Sequence, residues 1–142
     1  MANYCCAIRT NYFRVKDPEK FRDFISRVYG YEDSVELWEE TDKYGNKVFG
    51  FGCYGGIGGL RGDDDEYDDS CYDDFIDGLK EHVADDDAII ILECGNEKLR
   101  YLVGQAEIIT SKSYDYLDIA GAATKRAAEL LNNTDWLTKI TY

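Results

Sequence analysis

Residues 4–30 have the sequence YCCAIRTNYFRVKDPEKFRDFISRVYG, and this stretch indicates a fold that mixes strands and helices. Its first half, Tyr4–Val15, is rich in β-branched and aromatic residues, which predicts a strand. Asp17 and Pro18 then supply an N-cap and a proline at the first helical position. Apolar residues follow with helical spacing, and Gly30 is a typical helix stop. The apolar positions of this helix are Phe21, Phe24, Ile25, Val28 and Tyr29.

The rest of the chain continues this alternation of strands and helices. Ser111–Leu117 fits a loop, a strand or an early helix, and Gly55–Gly59 breaks the strand pattern. Further strands are predicted over Ser34–Thr41, Lys47–Tyr54, Ala88–Cys94, Leu99–Thr110 and Trp136–Tyr142. Further helices are predicted from Ser70 to the Asp85–Asp87 turn and from Asp118 to Leu131. The buried faces of these helices are predicted to be Tyr72, Phe75, Ile76, Leu79 and Val83, and Ala120, Ala123, Ala127, Leu130 and Leu131.

This order predicts one α+β domain over residues 1–142. Its first six elements run β-α-β-β-α-β, the order of a ferredoxin-like core, in which a mostly antiparallel sheet carries helices on one face. A β-α-β extension follows this core. The chain is 44% hydrophobic and 14% aromatic, which is too apolar for a disordered acidic protein.

The sequence predicts a cytoplasmic protein. It has no run of 18 apolar residues that could span a membrane, and its start lacks the apolar core of a secretion signal. The five cysteines contain no C-x-x-C motif, and we expect them to be buried, reduced thiols.

Negative charge is concentrated in one window of the chain. Asp63–Asp87 holds 13 of the 29 acidic residues and one base, Lys80, which gives it a net charge of −12. The rest of the chain has 16 acids and 15 bases. A solvated face is the ordinary explanation of an acidic run, but solubility does not require this asymmetry, so a partner-binding role is also indicated. The candidate partner-binding residues are Asp63, Asp64, Asp65, Glu66, Asp68, Asp69, Asp73, Asp74, Asp77 and Glu81.

These carboxylates suggest a nucleic-acid mimic. Duplex DNA carries one negative charge per ~1.7 Å of its axis, and ranked carboxylates on a helix could occupy a groove that normally binds DNA. The predicted partner is therefore a basic, nucleic-acid-binding protein, and direct contact with nucleic acid or membrane is not expected. The acidic loop lacks the glycine and spacing of a calcium-binding EF-hand, so we expect no metal and no cofactor. His82 is the only histidine and has no catalytic motif around it, so we expect no enzymatic activity.

A second pattern lies in Lys47–Tyr54, KVFGFGCY, which resembles the RNP1 signature of RNA-recognition motifs. The resemblance implies that Phe49, Phe51 and Tyr54 stack on bases. No RNP2 partner is found in the first strand, and a net charge of −13 opposes binding to phosphates. RNA binding is therefore an alternative, and an aromatic strand packed beneath the helices is the favoured interpretation.

Four segments together resemble small acidic proteins carried on mobile elements of Gram-positive bacteria. They are NYCCAIRTNYFRVKD, VELWEE, VFGFGCYGG and GNEKLRY, which begin at residues 3, 35, 48 and 95. Mobile elements often carry small acidic anti-restriction or anti-CRISPR proteins, so the resemblance implies an anti-defence inhibitor. The alternative is a general protein–protein interaction module of another pathway.

Overall fold

The computed structural model describes residues 3–61 and 71–140, with Cys71 described by its backbone alone. Within these ranges the chain has an α+β fold. The strands are β1 (Cys5–Thr10), β2 (Val28–Gly30), β3 (Glu36–Thr41), β4 (Lys47–Tyr54), β5 (Ile57–Leu60), β6 (Ile89–Glu97), β7 (Tyr101–Ile109) and β8 (Tyr114–Asp118). The helices are α1 (Pro18–Ser26), α2 (Cys71–His82) and α3 (Ile119–Leu130).

Six strands form one sheet in the order β3-β4-β1-β6-β7-β8, and every neighbouring pair in it is antiparallel. The strands β2 and β5 form a separate antiparallel pair. In the large sheet Ile8 lies opposite Cys53 of β4 on one side and Glu93 of β6 on the other. The predicted α+β class and the mostly antiparallel sheet are therefore confirmed.

The core lies between α1, α2 and one face of the large sheet. The rings of Phe13, Phe21, Phe49, Phe51 and Phe75 are fully buried. Phe13 meets Phe21 edge to face with ring centroids 5.5 Å apart, and it meets Phe51 in the same way at 6.1 Å. This geometry is favourable for aromatic pairs, so the phenylalanines fix how both helices sit on the sheet.

Helix α1 ends earlier than predicted. It begins as predicted, because Asp17 accepts hydrogen bonds from the backbone of Glu19 and Lys20, but it ends at Ser26. The following residues form β2, which pairs with β5 inside the stretch predicted to break the strand pattern. Gly58 makes this pairing possible, because a Cβ there would lie 2.1 Å from the ring of Tyr29.

Other boundaries also differ from the prediction. The first strand ends at Thr10, and beyond it Phe13 and Val15 make only isolated bridges. β6 continues to Glu97, so the chain turns three residues later than predicted, at Lys98 with φ +50°. The undecided segment before α3 forms β8.

The C-terminal part contradicts two predictions. Residues 136–140 form no strand, so the predicted final strand is absent from the described part of this segment. The predicted inner face of α3 is also wrong: Leu130 is 72% exposed and Leu131 57% exposed, whereas Ala128 is buried. The buried Ala128 instead lines a cavity that α3 shares with residues 134–140, and helical periodicity did not predict this side of the helix.

Candidate partner-binding surface

Helix α2 separates apolar from acidic residues as predicted. Phe75, Ile76 and Leu79 are buried in the core beneath it, with Val83 just beyond its end. Apolar side chains with this spacing occupy one side of a helix, so the remaining positions face solvent. The helix is thus held by its apolar stripe, and its acidic side chains are free of any packing role.

The acidic helix face consists of Asp73, Asp74, Asp77 and Glu81, which are all exposed. Their positions span about 12 Å of helix axis at ~1.5 Å per residue, with uneven steps of about 1.5, 4.5 and 6 Å that average ~4 Å for each carboxylate. One strand of DNA carries a charge every ~3.4 Å. No ion pair involves these four carboxylates within residues 3–61 and 71–140. Lys80, the base in this helix, is half-buried.

The other predicted binding residues lie in the preceding loop, outside the described residues. They are Asp63, Asp64, Asp65, Glu66, Asp68 and Asp69.

The aspartates that follow α2 have a different role. Asp86 pairs with Arg14 at 2.9 Å, and Asp85 pairs with Lys16 at 3.3 Å. Asp87 accepts a hydrogen bond of 2.8 Å from the backbone N–H of Arg14. A hydrogen bond from Ser111, followed by the contact with Lys16, lowers the pKa of the Asp85 carboxyl. This part of the acidic window therefore ties the end of α2 to the segment before α1. No local pattern predicted it, because the partners lie about 70 residues apart along the chain.

Tyrosines anchor the other end of α2. The Tyr72 hydroxyl donates a hydrogen bond of 2.5 Å to Glu107 of β7, and Tyr114 of β8 donates one of 3.0 Å to the same carboxylate. Burial, and then the hydrogen bond to Glu107, raises the pKa of both tyrosines, to about 12 for Tyr114. Both hydroxyls therefore stay protonated at neutral pH. This cluster holds the start of the acidic helix face against the sheet, and no sequence pattern predicted it.

His82 belongs to the core boundary between α1 and α2. Its ring lies 4.8 Å from that of Phe24 and 6.0 Å from that of Phe21. Burial against these rings lowers the pKa of His82. The imidazole therefore acts as a packed aromatic ring that favours its neutral form.

The RNP1-like strand faces the opposite way from what base stacking requires. Phe49 and Phe51 are 0% exposed and point toward the helices. Gly50 and Gly52 alternate with them and therefore lie at positions on the other face of the sheet. The side chain of Tyr54, which is 66% exposed, also lies on that face. Phe49 and Phe51 are core residues, as the favoured interpretation predicted, whereas Tyr54 is not.

The cysteines are less buried than predicted. Cys53 is buried, and burial raises the pKa of its thiol to about 11. Cys6 is half-buried, whereas Cys5 and Cys94 are exposed. All four are free thiols.

Within the described residues, no three His, Cys, Asp or Glu side chains are grouped so that they could hold a metal ion. None of the helices in those ranges is long and apolar enough to cross a membrane. No protein-family model, curated protein or solved structure matches this chain.

Proposed function

We propose that this protein binds a basic, nucleic-acid-handling protein and blocks the groove that holds its DNA or RNA. The observation that carries the proposal is the acidic helix face: four exposed carboxylates with a linear charge density close to that of one DNA strand. Such a surface attracts cationic grooves over long distances and repels nucleic acid itself. The activity is binding, in the cytoplasm, without a cofactor.

The fixed position of α2 supports this proposal. A mimic must hold its charges in place before it binds, because ordering them during binding would cost affinity. Tyr72 fastens the start of α2 to β7, and Asp85 and Asp86 fasten the segment after it to Lys16 and Arg14. The carboxylates between these anchors are thus presented on a rigid helix.

We also propose that the first six large elements form a ferredoxin-like core. The strand order β3-β4-β1-β6, with α1 and α2 on one face, supports this topology. In this arrangement β7, β8 and α3 are the extension, and the acidic helix face lies on a helix that the core itself requires.

The test uses a variant in which all four acids of the acidic helix face become Asn or Gln. Restriction endonucleases and CRISPR effector nucleases are bound to fluorescent duplex DNA, and release of the DNA by added protein is measured. The wild-type chain should release DNA from at least one nuclease, and the variant should not. Release should weaken as salt rises above ~0.15 M, where the Debye length is ~8 Å.

The matched control removes four exposed acids elsewhere: Glu32→Gln, Asp33→Asn, Glu40→Gln and Asp135→Asn. Both variants have the same net charge, so a difference between them reports the position of the charges. Thermal melts show whether each variant is folded. If the folded helix variant releases DNA as well as wild type, the acidic helix face is only a solvated surface.

The burial of Phe49 and Phe51 argues against the RNA-binding alternative. Fully buried rings cannot stack on bases, and Tyr54 alone does not provide a stacking platform. The observations on this chain favour no second function.

A further inference from the structure

The face of the large sheet that lies away from α1 and α2 carries an apolar trough. Its floor crosses neighbouring strands at small residues, since Ala7 of β1 lies opposite Cys94 of β6, and Cys94 lies opposite Gly104 of β7. One cavity of about 400 Å³ and another of about 310 Å³ follow this floor, and both are lined by Leu92 and Cys94. The two cavities therefore form one elongated space.

The trough is bounded at its two ends by larger side chains. At the β4 end the ring of Trp38 lies so close to Gly52 that a Cβ there would be 2.9 Å from it. At the β7 end the side chain of Ile119, the first residue of α3, would be 2.9 Å from a Cβ on Gly104. From β4 to β7 the trough crosses three strand spacings, or about 14 Å at ~4.8 Å each. A staggered hydrocarbon chain advances about 1.25 Å per carbon, so about ten carbons fill this length.

Arg9 places a cation at the Trp38 end of the trough. Its Nε donates a hydrogen bond of 3.2 Å to the carbonyl oxygen of Thr10, and its guanidinium lies 5.0 Å from the centre of the Trp38 ring. These contacts hold the guanidinium beside the first cavity, which Arg9 lines. Among the described residues no carboxylate pairs with Arg9, and its two terminal nitrogens donate no hydrogen bond. The fixed guanidinium thus offers free donors that suit a carboxylate.

Two acidic residues also line the trough. Glu36 lies in a row with Arg9, since Gly52 pairs with both, but it makes no ion pair within the described residues. Asp118 lies in the far cavity and caps α3 through a hydrogen bond of 2.6 Å from the backbone N–H of Gly121. These carboxylates and the net charge of −13 repel a phosphate monoester, with a charge of about −1.5 to −2, more than they repel a single carboxylate. Asp118 also disfavours an anion at its own end, so a monoanion is expected at the Arg9 end.

We propose that the trough binds a medium-chain fatty acid. Its carboxylate pairs with the guanidinium of Arg9, and its alkyl chain lies over Ala7, Cys94 and Gly104 toward Ile119. Charge complementarity sets the direction of the ligand, and the small floor residues let the chain lie close to the sheet. Each methylene that leaves water adds to the affinity, so binding should depend on chain length.

The trough has the size and chemistry of a small-molecule site. Each cavity lies within the range of about 300–1,000 Å³ that is typical of ligand pockets, which combine apolar walls with a few polar groups that fix orientation. The trough and the acidic helix face lie on opposite sides of the sheet. Fatty-acid binding is therefore independent of the proposed binding to a basic protein, and either property can be absent without the other.

The test measures binding of decanoate by isothermal titration calorimetry. Decanol has the same chain without the charge, so it should bind at least about tenfold more weakly, as expected when a hydrogen-bonded charge is lost. Butanoate has the charge without most of the chain, and it should bind at least about 100-fold more weakly because six methylenes no longer leave water. Equal affinity for decanoate and decanol would overturn the proposal.

Two substitutions test the two halves of the site separately. Arg9→Gln should weaken decanoate binding about tenfold or more and leave decanol binding unchanged. Cys94→Phe places a large ring on the trough floor and should weaken the binding of both ligands. The matched control is Arg27→Gln, which makes the same change of charge at an exposed position just after α1 and should bind decanoate as the wild-type chain does. Thermal melts show whether each variant is folded. Decanoate binding that is unchanged in the folded Arg9→Gln or Cys94→Phe variant would contradict the proposed site.

Cys94 provides a second measurement. Because this thiol lies on the trough floor, decanoate should slow its reaction with a maleimide reagent, and Arg9→Gln should reduce this protection. Cys5 is also exposed but lines neither cavity, so its rate should not change. Peptide mass spectrometry follows both thiols in the same sample. If decanoate at about 1 mM leaves the rate at Cys94 unchanged, or slows both thiols equally, the trough does not hold the fatty acid.

Discussion

At the scale of single residues, close packing between α1 and α2 depends on Gly78. A Cβ at this position would lie 2.2 Å from the ring of Phe24. That ring cannot easily move away, because it stacks on Phe75 and also contacts Phe21 and His82. Glycine in a helix interior usually costs stability, so its presence here reflects the space that the helix pair requires.

Gly78→Ala should therefore destabilise the protein. Alanine is the better helix former by ~1 kcal/mol, but forcing a methyl group into packed aromatic rings costs about 1–3 kcal/mol, so a net loss of up to ~2 kcal/mol is expected. Denaturant unfolding measures it. In a Phe24→Leu background the same change should cost less, because the smaller side chain leaves room. Equal costs in both backgrounds would show that Phe24 is not the obstacle.

His82 should make stability depend on pH. Its pKa is lowered by burial, so the native state binds this proton less readily than the unfolded chain does. The free energy of unfolding should therefore fall as pH drops below ~6.5, and this loss should be complete below the folded pKa. His82→Phe keeps an aromatic ring beside Phe24 and removes the proton. Between pH 7.5 and pH 5, the free energy of unfolding should fall more for the wild-type protein than for the His82→Phe variant. The same pH dependence in both proteins would contradict this role of His82.

At the scale of elements, alternate residues of β4 lie on opposite faces of the sheet. Phe49 and Phe51 are buried under the helices, while Gly50 and Gly52 leave room on the opposite face of the sheet, where the ring of Trp38 lies over Gly52. The guanidinium of Arg9 in turn lies 5.0 Å from the centre of the Trp38 ring.

Alanine substitutions should report these two faces directly. Phe51→Ala should lower the free energy of unfolding by about 3–5 kcal/mol, because it empties a fully enclosed site. Tyr54→Ala, at a largely exposed position in the same strand, should change the free energy of unfolding by less than about 1 kcal/mol. Similar losses for both would contradict the assignment of the faces.

The elements also show why some predictions succeeded. The two faces of β4 and the acidic helix face could be predicted from the spacing of apolar residues, because strand alternation and helical periodicity decide which side chains are buried. The short strands β2 and β5 have no such signal: their pairing depends on Gly58 leaving space for Tyr29, which lies 29 residues away in sequence. The contacts that anchor α2 to β7 and to the segment before α1 are equally non-local.

At the scale of the whole molecule, the acidic side chains in and after α2 fall into two groups, those paired with a cation and those that are not. Arg14 and Lys16 neutralise the aspartates after α2, whereas the acidic helix face has no cation paired with it among the described residues. Four like charges on one helix repel one another, and this repulsion is weakened by salt.

Adding salt should therefore raise the thermal unfolding midpoint of the wild-type protein. The rise should be smaller for the variant with Asn or Gln at all four positions of the acidic helix face. At low salt the stability of that variant should differ little from wild type, because relief of the repulsion is offset by loss of the favourable interaction of Asp73 and Asp74 with the N-terminal end of α2. Scanning calorimetry across a salt series measures both effects. A steeper salt response in the neutral variant would show that the repulsion lies elsewhere.

The central position of β1 has a consequence for how the chain folds during synthesis. β1 lies between β4 and β6, yet Ile89 follows Thr10 by almost 80 residues. At ribosomal rates of ~5–20 residues per second, one edge of β1 stays unpaired for roughly 4–16 s after it is made. For that time it presents free backbone N–H and C=O groups to any neighbouring strand.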